Sequence, residues 1–362
     1  MSSVLGKKLK VSVFGQSHSA AIGCCIDGLP AGEVIDRAAL LEFMKRRAPG
    51  RHSYSTARKE DDLPEFLSGV LENEAGELVT CGTPVMIVIH NKDCRPSDYK
   101  TFNDVPRPGH ADYTAHMKYN DYQDVRGGGH FSGRLTAPLC AAGGICRQLL
   151  ARRGIFVGAH VYSIGDLYDE PFNPVQIGSG GQEVAVNGDF PVIDACKGAL
   201  MTETIETCRQ AGDSLGGIVE CAVTGLPAGL GNPMFEGLEN LIAAAVFGIP
   251  AVKGIEFGAG FAASRMKGSE HNDPFLMKDG KVVTVTNNHG GILGGISSGM
   301  PLLFRVAFKP TPSISLPQES VSYSGGCNTE LSVTGRHDPC IVPRAVPVVE
   351  AVAAIVILDL LN

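Results

Sequence analysis

Between Arg107 and Arg134 the chain reads RPGHADYTAHMKYNDYQDVRGGGHFSGR, and no long regular element can run through this stretch. Pro108 has no N–H and Gly109 favours turns, so Arg107 to His110 cannot lie inside a helix or a central strand. The segment gathers Arg107, Arg126 and Arg134 with His110, His116, His130 and the triple glycine Gly127-Gly128-Gly129. Three glycines let a backbone approach a ligand closely, and guanidinium groups suit phosphate or carboxylate. A solvated polar loop is the plain alternative. The reading preferred is a site for a small polyanion.

Of 362 residues, 44% are hydrophobic and 19% charged, enough for a large packed core in one big domain or two ordinary ones. Residues 1–8 carry no long apolar run of a secretory signal. The apolar tail Val346 to Leu361 is interrupted by Glu350 and Asp359 and is too short to span a bilayer, so a buried helix is expected. The eleven cysteines are odd in number and contain no C-x-x-C pair. Reduced thiols, and with them a cytoplasmic location, are the expectation. A net charge of −7 argues against a general nucleic-acid binder. The one basic run, Lys45 to Lys59, is offset at once by Glu60-Asp61-Asp62. Local positive charge on an acidic protein is what a small anionic ligand needs.

A faint internal echo organises the chain. Ile26-Asp27-Gly28-Leu29-Pro30-Ala31-Gly32 returns as Val223-Thr224-Gly225-Leu226-Pro227-Ala228-Gly229. Each copy follows an apolar run that reads as a strand and precedes a helical pattern, Ile35 to Arg46 or Leu238 to Phe247. Gly82-Thr83-Pro84 and Gly299-Met300-Pro301 each open a further apolar run, and small-residue helical stretches follow at Leu135 to Leu150 and Val346 to Leu361. The architecture expected is α+β: a single large β-α-β sandwich-type domain, with two pseudo-symmetric strand–helix halves of about 1–155 and 200–362. The Gly- and Asp-rich stretch Val161 to Phe190 reads as a peripheral excursion. No G-x-G-x-x-G opens a helix after a first strand, and no Walker loop follows Arg126, so a dinucleotide or P-loop fold is not indicated.

Four clusters are candidates for chemistry: Gly15 to His18, the basic run from Arg46, the 107–134 segment, and Thr334 to Cys340. His18 follows the apolar strand Val11 to Phe14, a place from which functional side chains often emerge. A metal centre at His110, His116, His130 and Asp338 lacks any recognisable ligand spacing, and the arginines would repel a divalent cation. A serine hydrolase is not supported, since no G-x-S-x-G elbow is present.

Taken together, GQSHSAAIGCCIDGLPAG, RRAPG, KEDD, RPGHADYT, RGGGHFSGR, TNNHGGILGGISSG, KPTPSI and TGRHDPCIVPRAVPVVEA closely resemble the chorismate synthase family from residue 15 to 351. The resemblance implies a 1,4-elimination, with anti geometry, of phosphate and a ring hydrogen from 5-enolpyruvylshikimate 3-phosphate to give chorismate. It implies reduced FMN without net redox change, a homotetramer, and no partner of nucleic acid or membrane. Arg47, Arg107, Arg134 and Arg336 would hold the substrate. His18 would protonate the departing phosphate, whose second ionisation lies near ~6. His110 would sit by the N1–C2 edge of the flavin, and Asp338 would assist deprotonation of flavin N5. Flavin contacts would come from His130, Phe131, Ser132, Pro250, Ala251, Gly294, Lys309, Pro310, Thr311, Pro312, Ser313 and Arg336. Two positions depart from the family's commoner pattern. His130-Phe131-Ser132 replaces Arg-Ser-Ser, and Ser53 stands where a second basic residue often follows Pro-Gly, with Arg51 close by. The compact chain is expected to receive reduced flavin from outside, NADPH entering only if it reduces its own. A flavin-dependent oxidoreductase is the alternative enzyme, and an RNA-binding protein, prompted by RGG, the alternative outside catalysis.

Overall fold

The computed structural model describes residues 3–50, 55, 60–92, 101–177, 190–333 and 338–362. Two five-stranded antiparallel sheets enclose a layer of helices. The first sheet runs in the order Val4–Leu5, Lys10–Gly15, Ala21–Asp27, Val85–His90, Glu65–Ser68. The second runs Leu167–Tyr168, Phe156–Ile164, Gly217–Thr224, Leu302–Phe308, Val252–Phe257. The helices of eight or more residues among the described residues are α1 (Arg37–Arg47), α2 (Asp112–Tyr119), α3 (Thr136–Arg152), α4 (Ala195–Gln210), α5 (Leu238–Val246) and α6 (Val342–Leu361). The α+β sandwich expected from the sequence is the fold observed.

In the middle layer α3 and α6 pack on each other, α3 also against the first sheet and α6 against the second. A helix covered on nearly every side must be apolar on nearly every side, and the tail after Val342 is apolar but for Arg344, Glu350 and Asp359. The two backbones approach so closely at Gly143 that a Cβ there would lie 2.3 Å from Ala351 Cα. The charge that breaks the apolar run, Glu350, is fully buried and still satisfied. It takes two hydrogen bonds from the Arg46 fork, at 2.7 and 2.8 Å, and one from the Ala159 N–H at 3.0 Å. Among the described residues, no helix is long and apolar enough to cross a membrane.

The echo in the sequence has a structural counterpart. The Gly32 N–H donates to Thr80 O at 2.8 Å and the Gly229 N–H to Ser297 O at 2.9 Å. The Thr80 hydroxyl donates to Pro30 O and the Ser297 hydroxyl to Pro227 O, both at 2.6 Å. Each hydroxyl also accepts from the N–H just past the turn, Glu33 at 2.9 Å or Leu230 at 2.8 Å. Thr80 and Ser297 are both buried. Thr80→Val and Ser297→Ala therefore each leave two polar groups short of a partner, and each is expected to cost about 1–3 kcal/mol in denaturant unfolding. A change below ~0.5 kcal/mol at either position would show that water replaces the hydroxyl.

The excursion begins later than its composition implied. Val161 to Ile164 complete the long strand Phe156–Ile164, interior to the second sheet. The excursion is tied back by a buried charge network at His160. Its Nδ1 lies 3.0 Å from Asp169 Oδ2 and its Nε2 3.0 Å from Glu220 Oε2, while Glu220 Oε1 accepts from Arg305 Nε at 2.8 Å. Burial alone would lower the imidazole pKa, but the two carboxylates outweigh it and raise it above the ordinary value. The stability this supplies is complete below the unfolded value near ~6.5 and is lost as pH rises through the folded one. Asp169 and Glu220 are held below their ordinary values despite burial. Their contribution is present above ~4 and is lost as pH falls through their folded values. Exchange protection of the Ile193 and Asp194 amides, which donate to Asp169, should accordingly weaken above pH ~6.5, after correction for intrinsic rates. Constant protection up to pH ~9 would contradict a charged His160.

Candidate functional site

A cavity of about 650 Å³ is lined by residues from the first and the second half of the sequence. That is within the usual range for small-molecule sites. The first half contributes Ser17, Arg47, Arg107, His110 and the run His130 to Arg134; the second contributes Pro250, Ala251, Lys309, Thr311 to Ser313, Asp338 and Arg344.

Arg107 and His110 are set by the turn that Pro108 and Gly109 impose and by Asp112, in the first turn of α2. Asp112 accepts from Arg107 Nε at 2.7 Å, Nη2 at 2.8 Å and the Arg107 N–H at 3.0 Å. Its Oδ1 also lies 2.6 Å from His110 Nδ1. The guanidinium rests over Phe102 at 4.4 Å. Burial pushes the Asp112 carboxyl up, but its bonds to Arg107 and His110 bring it well below the usual carboxylate range. Burial is also the largest influence on His110 and lowers it; Asp112 pulls the other way, Arg107 and Lys309 add to the lowering, and the net is a depressed imidazole pKa.

The triple glycine does something its composition did not reveal. Gly127, Gly128 and Gly129 have φ of 60°, 85° and 53°, and the Gly129 carbonyl accepts from the Ser17 N–H at 3.0 Å. A Cβ on Gly127 would lie 2.4 Å from His18 Cε1 and Nδ1; one on Gly128 would lie 3.0 Å from His110 Nε2. Both histidines are seated on this segment. His18 is buried against Gly127 just beyond the cavity wall, which Ser17 and Gly127 form.

Arg47 and Arg134 converge from the end of α1 and the start of α3 onto one carboxylate, Asp62. Arg47 Nη1 donates to Asp62 Oδ2 at 2.8 Å, and Arg134 Nη1 pairs with Asp62 Oδ1. Arg47 is completed by Thr136 Oγ1 at 3.0 Å and Gly133 O at 2.7 Å, Arg134 by Asn91 Oδ1 at 3.0 Å. Burial alone would raise the Asp62 pKa; the two guanidiniums hold it below its ordinary value. The second terminal nitrogen of Arg134 is buried and makes no hydrogen bond among the described residues, and Glu60 Oε2 lies 3.8 Å away. It is an open donor.

On the opposite wall Ala251 holds φ +73°, and its carbonyl accepts from the Lys309 N–H at 3.0 Å. Lys309 is half-buried, its ammonium pKa lowered by burial and by Lys253. The buried Thr311 hydroxyl has no hydrogen-bond partner among the described residues. Asp338 pairs with Arg344, whose Nε donates to Arg47 O at 3.0 Å, so the second half is stitched to the first.

Of the residues expected to act, Arg47, Arg107, Arg134, His110, His130, Phe131, Ser132, Pro250, Ala251, Lys309, Thr311, Pro312, Ser313 and Asp338 line this one cavity. His18 and Pro310 lie just outside its lining, and Gly294 sits at the exposed tip of the hairpin Ile292–Leu293/Ile296–Ser297. Arg336, Arg51 and Ser53 lie outside the described residues. At the first departure, His130 is committed to protein contacts: Nδ1–H donates to Gly15 O at 2.9 Å, leaving Nε2 to accept from the Ser3 hydroxyl at 2.9 Å. Phe131, 40% exposed, also borders a second, largely apolar cavity of about 1010 Å³, with Val11, Val13, Tyr119 and Leu139. Sequence reasoning assigned no role to Asp62, Asp112 or Arg344. The signal available was that buried arginines need carboxylates.

Fold and site together define an α+β protein with three buried guanidiniums and His110 lining one cavity and His18 at its wall. The sequence model of the chorismate synthase family matches residues 9–361. The chorismate synthase of Lancefieldella parvula is 45% identical over 100% of this chain and 96% of its own length. That of Thermococcus kodakarensis is 47% identical over 98% of this chain and 96% of its own. A crystal structure of a chorismate synthase superposes with a TM-score of 0.75 at 28% identity, covering 98% of this chain and 92% of that one. The chain belongs to the chorismate synthase family and is a lyase of the shikimate pathway.

Proposed function

We propose that the chain eliminates phosphate from 5-enolpyruvylshikimate 3-phosphate to give chorismate, with reduced FMN in the same cavity and no net redox change. The observation that carries this reading is the convergence of three buried guanidiniums, Arg47, Arg107 and Arg134, with His110 in one cavity and His18 at its wall. The substrate bears a phosphate and two carboxylates, each suited to a fork-shaped cation. Charge-assisted contacts of this kind contribute about 1.5–3 kcal/mol each. Asp62 and Asp112 let such cations lie close together before the substrate arrives.

The second-half wall fits FMN. Lys309 and the orphaned Thr311 hydroxyl are donors for its phosphate, and Ile341, Ala345 and Val348 offer an apolar face to its rings. Pro250, Ala251, Lys309 to Ser313 and the His130 to Ser132 run would hold it, with Arg336. Reduced FMN, when bound, supplies transient electron density for expelling phosphate. His18 delivers a proton from its ring to the leaving phosphate oxygen. His110, kept neutral by burial and by Arg107, presents Nε2 to the cavity as a hydrogen-bond acceptor. Asp338, paired to Arg344, receives a proton at its carboxylate. Gly294, outside the cavity of its own chain, would contribute only across a subunit contact.

We also propose a homotetramer, supported by exposed apolar side chains such as Phe235, Phe261, Phe275 and Met277. A cytoplasmic location is supported by cysteines that are all free among the described residues. Internal duplication of a strand–helix unit is supported by the matched hydrogen bonds at the two Pro-Ala-Gly turns. External supply of reduced flavin remains part of this reading.

Arg134→Lys tests the substrate site, because it keeps the charge and removes the fork. Equilibrium dialysis with the enolpyruvyl substrate and oxidised FMN should show binding weakened about ten- to hundredfold. Unchanged affinity would remove Arg134 from the site.

A further inference from the structure

We propose that Asp112 is a positioning residue that fixes His110 in a single tautomer, hydrogen on Nδ1, so that Nε2 is the basic nitrogen presented over Gly128 to the cavity. The inference rests on the reading that His110 acts in that cavity.

Asp112 lies behind His110 and is not part of the cavity lining. An ionised carboxylate only accepts hydrogen bonds, so its 2.6 Å contact with Nδ1 requires the hydrogen on that nitrogen. Arg107 Nη2 lies 3.1 Å from the same Nδ1 and gives one of its two hydrogens to Asp112 Oδ1 at 2.8 Å; a lone pair on Nδ1 could take the second only by facing the carboxylate oxygen at 2.6 Å, which its negative charge forbids. Nε2, on the opposite side of the ring, is the atom nearest a Cβ built on Gly128. The carboxylate is itself immobilised by three N–H groups of Arg107 and by its place in the first turn of α2, where a negative charge is favoured. One carboxylate thus orients a cation for the substrate and a tautomer for the chemistry. Carboxylate–histidine pairs hold metal-ligating rings in the same way, although none of the described residues form a metal cluster here.

The test reads the ring directly. Long-range ¹H–¹⁵N spectra of the full-length, histidine-labelled protein at pH ~7.5, without flavin or substrate, should show His110 with a protonated Nδ1 and a lone pair on Nε2. Its resonances are identified by their loss in His110→Gln. In Asp112→Asn the two forms should interconvert or reverse, and kcat should fall about a hundredfold or more. A wild-type ring protonated on Nε2, or an Asp112→Asn ring indistinguishable from wild type, overturns the proposal. Should Asp112→Asn fail to fold, the wild-type spectrum alone decides. The chemical reading fails separately, if His110→Gln turns over normally.

Discussion

Gly127→Ala is expected to reduce turnover at least a hundredfold, although it adds one methyl group to a glycine that need not touch the substrate. Two physical effects act together. Gly127 sits at φ 60°, ψ 17°, and any L-residue there costs roughly 1–2 kcal/mol. The new Cβ would also begin 2.4 Å from two ring atoms of His18 and 2.6 Å from the Ser17 hydroxyl, so the imidazole must move. Misplacement of a catalytic group by about 1 Å is enough to lose roughly a hundredfold in rate. Gly128→Ala should be milder for packing, since its nearest ring atom, His110 Nε2, is 3.0 Å away. Anaerobic phosphate release alongside thermal melting separates the two effects. A well-folded Gly127→Ala enzyme with normal kcat would show that His18 is not held by this segment.

The second large effect concerns the histidines themselves. His18→Ala and His110→Ala are each expected to lose about 10²–10⁴ in kcat, the range for a positioned acid or base. Both measurements need saturating reduced FMN, so that weakened flavin binding is not read as lost chemistry. His110 is depressed by burial and by its cationic neighbours, hence neutral near pH 7. Wild-type kcat/KM should therefore fall as pH is lowered through its value, and that limb should vanish in His110→Ala. Near-normal turnover in either variant, with flavin bound, would remove that residue from the mechanism.

Much of this was legible in the chain before folding. The strand–turn–helix echo depends on local turn chemistry at Pro30 and Pro227, and Val346 to Leu361, apolar but for Glu350 and Asp359, leaves a helix almost no face for water. The arginines could be named because fork-shaped cations are few and their motifs contiguous. Their partners could not. Asp62 serves Arg47 and Arg134 from just before the strand Glu65–Ser68, and Arg344 reaches Asp338 and the Arg47 carbonyl from α6, so these pairings exist only once segments distant in sequence have packed. Asp112 was visible two residues beyond His110, but a short helix inside a turn-rich segment was not expected there. The triple glycine read as a place for close ligand approach; the side chains it admits are the protein's own His18 and His110. Val161 to Ile164 were assigned to an excursion because the following residues are polar, whereas pairing with Gly217–Thr224 extends the strand across them.

The most direct test of the central claim is an anaerobic assay of the full-length chain with 5-enolpyruvylshikimate 3-phosphate and chemically reduced FMN, following phosphate release and chorismate absorbance together. The account predicts that both appear in equal amounts with reduced FMN and that neither appears with oxidised FMN. Folded, flavin-binding protein that released no phosphate under these conditions would contradict it.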